Sequence, residues 1–299
     1  MSEVRRVVVT GGSGHIGQAL VRTLLDQGYD VTNVDRRTPH EPAGRFIFAD
    51  LRDRYQVQQA FEGADAVLHL GEIPNVHRSI PHEEVYAHNC TIASVVLQTA
   101  AEMRIPKFVY TSSCQVYGIW GPQSDATAPV PLKYPIDETQ PVCPQNAYSV
   151  AKVGAEHYAA ALAGMYPQWS VVVLRFPWVM RDDPEWIDRL ARRAPDSPGR
   201  IAEIGGYLHM SDAVTGYLAA MNRAGVGYAC YHMLAKDIRS TGSLRDALAR
   251  QHPHWPPLPA DWPDSAVPVS CEKAKRELGW IPKWSLHETL GRYRAANGI

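Results

Sequence analysis

The 299-residue sequence has almost no net charge, because 30 lysines and arginines stand against 31 aspartates and glutamates. Without a basic excess or a basic stripe, nucleic acid is not an expected partner. No apolar run approaches the roughly 20 residues that a membrane helix needs, so no membrane partner is expected either. Hydrophobic residues still make up 45% of the chain, which is enough for a large core.

The cysteines and histidines show no metal-ligand spacing. Five cysteines are scattered without a CxxC pair, and twelve histidines form no HExxH motif. An odd, scattered set of cysteines is typical of reduced thiols in a cytosolic protein. The chain reaches an apolar run at Val7 almost at once, so a signal peptide is not expected. We therefore predict a cytoplasmic protein without a bound metal.

A glycine-rich turn lies near the N-terminus. The sequence TGGSGHIG spans residues 10–17, after the apolar run Val7–Val9 and before a helical pattern over His15–Gln27. In such a strand–turn–helix unit the glycines permit a tight turn, the approach of a pyrophosphate and close helix packing. The helix N-terminus adds free N–H groups for phosphate. The predicted cofactor contacts here are Gly11, Gly14, His15, Ile16 and Gly17.

An acidic residue follows at the distance expected for dinucleotide binding. Asp35 ends the apolar run Tyr29–Val34, where its carboxylate would accept the ribose hydroxyls. The same negative charge would repel a 2′-phosphate, whereas Arg36 and Arg37 next to it would bind one. We predict NAD as the cofactor, with NADP as the less favoured alternative.

Strands and helices alternate through the first 175 residues, which favours a doubly wound parallel sheet of the Rossmann type. The predicted strands are Arg6–Thr10, Asp30–Asp35, Phe46–Phe48, Ala66–His69, Phe108–Ser112 and Ser170–Arg175. The predicted helices between them are His15–Gln27, Arg54–Phe61, Glu84–Met103 and Ala147–Met165. Ligands of such sheets bind at the carboxyl ends of the strands.

Beyond Arg175 the alternation weakens, and a smaller, mostly helical substrate subdomain is predicted. Tyr228–Leu234 is expected to return a strand to the main sheet. The NAD-binding domain would then comprise residues 1–177 plus about 203–235, and the subdomain about 178–202 plus 236–299. The predicted later helices are Trp186–Ala194, Ser211–Ala224, Leu244–Gln251, Glu272–Leu278 and Leu286–Ala296.

Three polar side chains are candidates for proton transfer. Tyr148 and Lys152 are four residues apart and share one face of a predicted helix. A nearby ammonium lowers the pKa of a phenol, so Tyr148 would exchange a proton with an alcohol or ketone. Ser113, at a strand end, would orient the reacting oxygen. Each feature alone also fits a helix-surface pair or a turn serine.

Together these motifs resemble the extended short-chain dehydrogenase/reductases, the NAD-dependent epimerase/dehydratase family. The resemblance rests on the glycine pattern, Asp50-Leu51, Ser113 within SSxxVYG and Tyr148-x-x-x-Lys152, and it extends to the C-terminal segment Lys273–Pro282. It implies that Ser113, Tyr148 and Lys152 are the catalytic set. It also implies that Asp50 and Leu51 contact adenine and that Asn89 supports the cofactor site from its helix. The other implied cofactor contacts are Asp35, Leu70, Gly71, Tyr148, Lys152 and Pro177.

The sequence departs from that family's sugar-nucleotide enzymes at several positions. Where dehydratases carry an Asp-Glu pair, this chain has Cys114-Gln115, which disfavours the dehydratase route. Trp178 replaces an asparagine that commonly holds the nucleotide sugar, and the usual arginine is absent from the stretch Gly205–His209. A free or differently activated substrate is therefore also credible.

The run HLGEIP at residues 69–74 also resembles the uronate dehydrogenases of the family. There an arginine meets the substrate carboxylate. Arg175 is a candidate for that contact, although a buried structural arginine is slightly favoured. Loop residues facing the site are candidates for further substrate contacts. These candidates are Glu72, Asn75, His77, Arg78, Gln115 and Trp178.

Three functions follow from these observations. The family resemblance slightly favours a nucleotide-sugar epimerase, with hydride transfer at a secondary alcohol or ketone of a carbohydrate substrate. The missing nucleotide anchors favour an NAD-dependent dehydrogenase of a free sugar or uronic acid. A non-catalytic NAD(P)-sensing regulator is the third possibility. By analogy with the family, helices Glu84–Met103 and Ala147–Met165 would pair across a homodimer.

Overall fold

The computed structural model describes residues 4–75, 79–119, 128–192, 202–240 and 242–299. The strands are β1 (Arg6–Thr10), β2 (Asp30–Asp35), β3 (Arg45–Phe48), β4 (Ala66–His69), β5 (Lys107–Ser113), β6 (Ser170–Phe176), β7 (Trp178–Met180), β8 (Tyr207–His209) and β9 (Gly227–His232). The helices are α1 (His15–Asp26), α2 (Arg54–Phe61), α3 (His82–Glu102), α4 (Ala147–Met165), α5 (Pro184–Arg192), α6 (Met210–Met221), α7 (Leu244–Gln251), α8 (Glu272–Leu278) and α9 (Leu286–Asn297).

Within these residues, seven strands form one parallel sheet in the order β3-β2-β1-β4-β5-β6-β9. From β1 the chain runs outward to β3, and it then starts again on the other side of β1 with β4. Ligands of doubly wound sheets bind at this switch point, beyond the carboxyl ends of the strands. The predicted fold class is confirmed, including the late strand that returns to the main sheet as β9.

Both faces of the sheet are covered by helices, so its strands read as nearly continuous apolar runs. Side chains alternate between the two faces: in β6, Val171 and Val173 face the core shared with α3 and α4, whereas Val172 and Leu174 face the opposite core. That opposite core includes side chains of α1 and α6. These two cores fix the carboxyl edge of the sheet on which the site is built.

The C-terminal part packs on smaller apolar clusters. Strands β7 and β8 form a separate parallel pair. Near them, α5 and α9 share a cluster of Met180, Ala191, Tyr207, Leu286 and Leu290. Another cluster includes Ile136, Leu234, Leu244, Trp255 and Val269. The division of the chain into two domains stays a prediction.

Several helix boundaries differ from the predicted ones by a few residues. Helix α3 begins at His82, directly after the extended Pro81. Helix α5 begins at Pro184, a residue that suits the first helical position because its fixed φ matches the helix. Residues 193 and 194, which were predicted to be helical, lie outside the described residues. None of the helices in the described ranges combines the length and apolar character needed to cross a bilayer.

Candidate active site

A cleft of about 960 Å³ opens at the carboxyl edge of the sheet, where the strand order switches. Three of the described candidates lie outside its walls: Asp50, Asn89 and Arg175. Each of these three is placed below. The candidates that line the cleft are Gly11, Gly14, His15, Ile16, Gly17, Asp35, Arg36, Leu51, Leu70, Gly71, Glu72, Asn75, Ser113, Gln115, Tyr148, Lys152, Pro177 and Trp178.

The glycine turn has no room for side chains. Gly11 has a φ of +71°, and a Cβ there would lie 2.7 Å from the backbone nitrogen of Gly71. A Cβ on Gly17 would lie 2.2 Å from the carbonyl oxygen of Gly11. The turn, the start of α1 and the loop after β4 are therefore in direct backbone contact, and glycine is required at both positions.

The N-terminus of α1 is open toward the cleft. Gly14 is its N-cap residue, and no side chain caps the helix. The first N–H groups of a helix have no partner within the helix, and the helix dipole places partial positive charge there. With His15 and Ile16 in the wall, this end of α1 fits the pyrophosphate of a dinucleotide.

Asp35 lies at the end of β2 beside the glycine turn. Its Oδ2 accepts a hydrogen bond from the Ser13 N–H at 3.1 Å, and its Oδ1 accepts one from the Arg37 N–H at 3.0 Å. These bonds fix the carboxylate at the cleft, where it would accept ribose hydroxyls. The neighbouring Arg36 is oriented by a contact with His88 (3.2 Å) and lies 4.0 Å from an oxygen of Asp50.

We expect Asp35→Ala to weaken NAD binding more than NADP binding. The substitution removes the acceptor for the ribose hydroxyls and also the negative charge that would repel a 2′-phosphate. The two dissociation constants can be compared by calorimetry on the wild-type protein and the variant. Equal losses for the two cofactors would contradict the role of Asp35 in cofactor choice.

Asp50, which is predicted to contact adenine, lies at the edge of the cleft. Asp50 lies between Ala49 and Leu51, which both line the cleft, but its own carboxylate pairs with Arg52 at 2.6 Å. The hydrogen bond from Arg52 is the main reason why the pKa of Asp50 falls to about 2. An adenine contact of this carboxylate stays a prediction.

Asn89 acts on the cleft through the backbone of a neighbouring loop. From α3, its amide accepts a hydrogen bond from the Ile73 N–H at 3.0 Å and donates one to the Ile73 carbonyl at 2.9 Å. The side chain is buried, so it fixes the loop after β4 instead of contacting a ligand. This position agrees with the support of the site from its helix that the resemblance implies for Asn89.

Tyr148, Lys152 and Ser113 meet on one side of the cleft. Asn146 caps α4 and forms a capping box with Ser149, which places Tyr148 in the first helical turn. Lys152 follows one turn later on the same face, with its Nζ 5.5 Å from the centre of the Tyr148 ring. Ser113 ends β5 and favours the Tyr148 phenolate by a hydrogen bond.

The charges around the phenol act in opposite directions. Burial raises the pKa of Tyr148, the Lys152 ammonium and the Ser113 hydroxyl lower it, and the Glu72 carboxylate raises it. The net pKa lies above its ordinary value. The N-terminal end of α4 also favours a negative charge on Tyr148, because the phenol stands in the first turn.

Glu72 is bound within the protein, and the substrate contact that the sequence suggests for it stays a prediction. Its side chain is only 3% exposed and lies under the cleft, with Oε2 2.8 Å from the Lys152 ammonium. Its Oε1 accepts a hydrogen bond from the Tyr110 hydroxyl at 2.9 Å and lies 3.3 Å from Nε2 of His69. The carboxylate is thus bound to the Lys152 ammonium.

Arg175 lies outside the walls of the cleft. From β6 its guanidinium reaches under α4 and forms a buried ion pair with Glu156, at 3.0 Å through Nε and 2.5 Å through Nη2. A third N–H donates to the Tyr117 hydroxyl. This is the buried structural position that the sequence favours for Arg175, and its side chain does not line the cleft.

The remaining substrate candidates form one wall of the cleft. Gln115 receives a hydrogen bond from the Asn146 amide at 3.2 Å and donates one to Asn75 at 3.4 Å. Trp178 is 42% exposed and lines the cleft. The substrate roles of these residues stay predictions. His77 and Arg78 lie outside the described residues.

The cleft also includes residues that were not singled out from the sequence, among them Arg181, Glu203 and Met210. Arg181 follows the short strand β7, so the rule that strand ends carry ligand contacts would have found it. Its guanidinium contacts His15 at 3.1 Å. Glu203 has a left-handed backbone (φ 56°). The sequence does not predict this conformation, because it is uncommon for residues other than glycine.

Cys114 occupies a position where the family's dehydratases have an acid. It is fully buried, and its thiol donates to the carbonyl of Arg175 at 3.4 Å. Burial raises the pKa of the Cys114 thiol well above its ordinary range. A neutral, buried thiol cannot replace a carboxylic acid in an elimination.

The fold and cleft define a site of the dinucleotide-binding type, and comparison with known proteins specifies the family. The model of the NAD dependent epimerase/dehydratase family matches residues 7–229. A probable UDP-arabinose 4-epimerase of Arabidopsis thaliana is 31% identical over 242 residues, which cover 75% of this chain and 55% of the relative. The chain belongs to the NAD dependent epimerase/dehydratase family.

Other similar proteins extend over more of the chain. A UDP-glucose 4-epimerase of Oryza sativa subsp. japonica is 26% identical, covering 94% of this chain and 87% of that protein. The structure of Thermotoga maritima UDP-glucose 4-epimerase with UDP-glucose has a TM-score of 0.70 at 22% identity, covering 98% and 99% of the two chains. The chain spans little more than half the length of the UDP-arabinose 4-epimerases.

Proposed function

We propose that the protein is an NAD-dependent epimerase that inverts C4 of a nucleotide sugar. The observation that carries the proposal is the meeting of Tyr148, Lys152 and Ser113 in the same cleft as the glycine turn and Asp35. The relatives named as UDP-sugar 4-epimerases support this reaction and its substrate class.

Each group has a role that follows from its position. Bound NAD would supply the acceptor and donor of hydride. The glycine turn and the start of α1 would hold the pyrophosphate, and Asp35 would hold the adenosine ribose. Tyr148 would take the proton of the C4 hydroxyl and return it after the ring has turned its other face. Ser113 would orient that oxygen, and Lys152 would stabilise the phenolate.

A second candidate function is a dehydrogenase of a free sugar or uronic acid. A carboxylate, Glu203, stands in the cleft wall near Trp178, and Arg239 pairs with it at 3.7 Å and stacks over the Trp178 ring at 4.8 Å. Burial raises the pKa of Glu203. Such a carboxylate would accept hydrogen bonds from sugar hydroxyls but would repel a diphosphate, which favours a substrate without a nucleotide.

One pair of assays separates these functions. The protein is incubated with UDP-glucose, UDP-galactose, UDP-xylose and UDP-arabinose without added NAD, and the C4 epimers are resolved by chromatography. In parallel, free sugars and uronic acids are tested with NAD for formation of NADH. C4 epimers without NADH support the epimerase, and NADH from free sugars supports the dehydrogenase. Tight NAD binding with neither product would support an NAD(P)-sensing regulator.

We further propose a cytoplasmic homodimer. In the described structure α3 and α4 lie side by side, and α4 exposes a face of Val150, Gly154, His157 and Ala161. No atom lies within 4 Å of the position a Cβ would occupy on Gly154, so a second pair of helices could approach closely. Light scattering on the purified protein measures directly whether it is a dimer in solution.

A further inference from the structure

A buried carboxylate lies directly behind the candidate proton-transfer pair. Glu72 contacts the Lys152 ammonium at 2.8 Å, while Lys152 also donates to the Thr111 carbonyl at 2.6 Å. Lys152 is thus held by one full charge from the loop after β4 and one backbone oxygen from β5. Its ammonium stands 5.5 Å from the centre of the Tyr148 ring.

The register of the sheet explains how this carboxylate is held. Thr10 of β1 pairs with His69 of β4, and His69 pairs with Tyr110 of β5. The Thr10 hydroxyl lies 2.6 Å from Nδ1 of His69, and the His69 ring stacks on Tyr110 at 5.7 Å. The Glu72 N–H donates to the Leu70 carbonyl at 2.9 Å, so the chain turns back and brings Glu72 over His69.

Glu72 and Lys152 each stabilise the charged form of the other. Burial alone would raise the pKa of Glu72, but the Lys152 ammonium and the hydrogen bond with His69 outweigh it and lower that pKa to about 2. Although burial lowers the pKa of Lys152, the Glu72 carboxylate and Tyr148 raise it above its ordinary value. Glu72 and Lys152 therefore form a charged, mutually neutralising pair.

Other titratable groups that face this pair are neutral or already paired. Burial lowers the pKa of His69, and it raises the pKa values of Tyr110, Cys114, Cys90 and Tyr217. Glu156, the remaining acid nearby, is bound to Arg175. Glu72 is therefore the negative charge near this pair that offsets the lowering of the Tyr148 pKa by Lys152.

We propose that Glu72 is a positioning residue of the proton-transfer pair, fixing the Lys152 ammonium and balancing its charge beside Tyr148. This inference deepens the proposed oxidoreductase function and rests on it only for the roles of Tyr148 and Lys152. It follows that Lys152 lowers the pKa of Tyr148 less in this protein than an uncompensated lysine would. The phenol then keeps its proton over a wider pH range, until a positive charge on the bound cofactor is added.

The test measures the ionisation of Tyr148 directly in the NAD-loaded protein. Tyrosines are labelled with ¹³C at Cζ, the Tyr148 signal is assigned with Tyr148→Phe, and its shift is followed against pH. In Glu72→Gln the negative charge is gone, so the pKa of Tyr148 is expected to fall by about one unit. The acid limb of the kcat profile would move to lower pH by the same amount.

Two further variants complete the test. Tyr110→Phe removes a hydrogen bond to Glu72 but no charge, so the Tyr148 titration should stay in place. Glu72→Asp keeps the negative charge but moves it away from Lys152, because its side chain is shorter. The pKa of Tyr148 should then fall as in Glu72→Gln, but by a smaller amount. This variant replaces Glu72→Gln if the latter does not fold.

An unmoved Tyr148 titration in Glu72→Gln, or in Glu72→Asp if that variant replaces it, would overturn the proposal. A loss of kcat without a shift of the pH limbs would equally indicate a merely structural residue. Because the NMR titration needs no substrate, its result is independent of the reaction catalysed. A shifted titration in a protein that epimerises no sugar would leave this inference standing and reject the proposed function.

Discussion

Replacing Tyr148 with phenylalanine is expected to lower turnover about a thousandfold while NAD binding stays close to that of the wild-type protein. The substitution removes one hydroxyl that would take and return the substrate proton, and it leaves the ring packed in α4. The side chain contributes no contact to the glycine turn, so the cofactor site should be intact. Turnover of a UDP-sugar and NAD affinity are measured on the same preparations.

Tyr217→Phe is the matched control for Tyr148→Phe. Tyr217 is also a fully buried tyrosine near β5, and its hydroxyl lies 2.6 Å from that of Thr111. Loss of that hydrogen bond should cost about 1 kcal/mol of stability and little turnover. If Tyr148→Phe kept a tenth or more of the wild-type rate, Tyr148 would not be the acid and base.

Arg175→Ala is expected to destabilise the protein by about 3–5 kcal/mol, because it leaves the buried Glu156 carboxylate without its partner. Both side chains are nearly inaccessible, with 8% and 3% exposure, and the cavity left by the guanidinium adds to the cost. Urea unfolding measures the change in the free energy of unfolding. The KM of the folded fraction should remain close to that of the wild-type enzyme, because Arg175 does not reach the cleft.

A double variant separates the lost ion pair from the lost volume. Arg175→Met combined with Glu156→Leu removes both charges and keeps most of the apolar bulk, so it should recover much of the stability lost in Arg175→Ala. The Ser112 hydroxyl, which donates to Glu156 at 2.5 Å, would lose its acceptor and limit the recovery. A stable Arg175→Ala with a raised KM would instead restore the predicted substrate contact.

The fold was predictable because local patterns and tertiary packing agree along most of the chain. The glycine turn lies between a buried strand and an amphipathic helix, and Asp35 ends the next strand, so the cofactor end of the cleft could be placed by strand ends alone. The four-residue spacing of Tyr148 and Lys152 placed them on one helix face. Their common cleft with Ser113 needed the family resemblance, since each residue alone fits an ordinary surface or turn position.

The direction of single side chains was harder to predict than the fold. Arg175 follows Val171 and Val173 at two-residue intervals in β6, so period-two alternation places it on the face covered by α4. That argument was available from the sequence once the strand was assigned. Glu72 was different, because it follows β4 in an irregular loop. Only the turn back over His69 shows that its side chain points beneath the cleft.

The most direct test of the proposed epimerase follows a UDP-sugar in D₂O by proton NMR, with no cofactor added beyond what the protein retains. We predict that the C4 epimer appears and that C4 keeps its original hydrogen, because hydride would leave and return without exchange with solvent. Deuterium at C4 would show that a proton is abstracted from carbon. That result would contradict hydride transfer assisted by Tyr148.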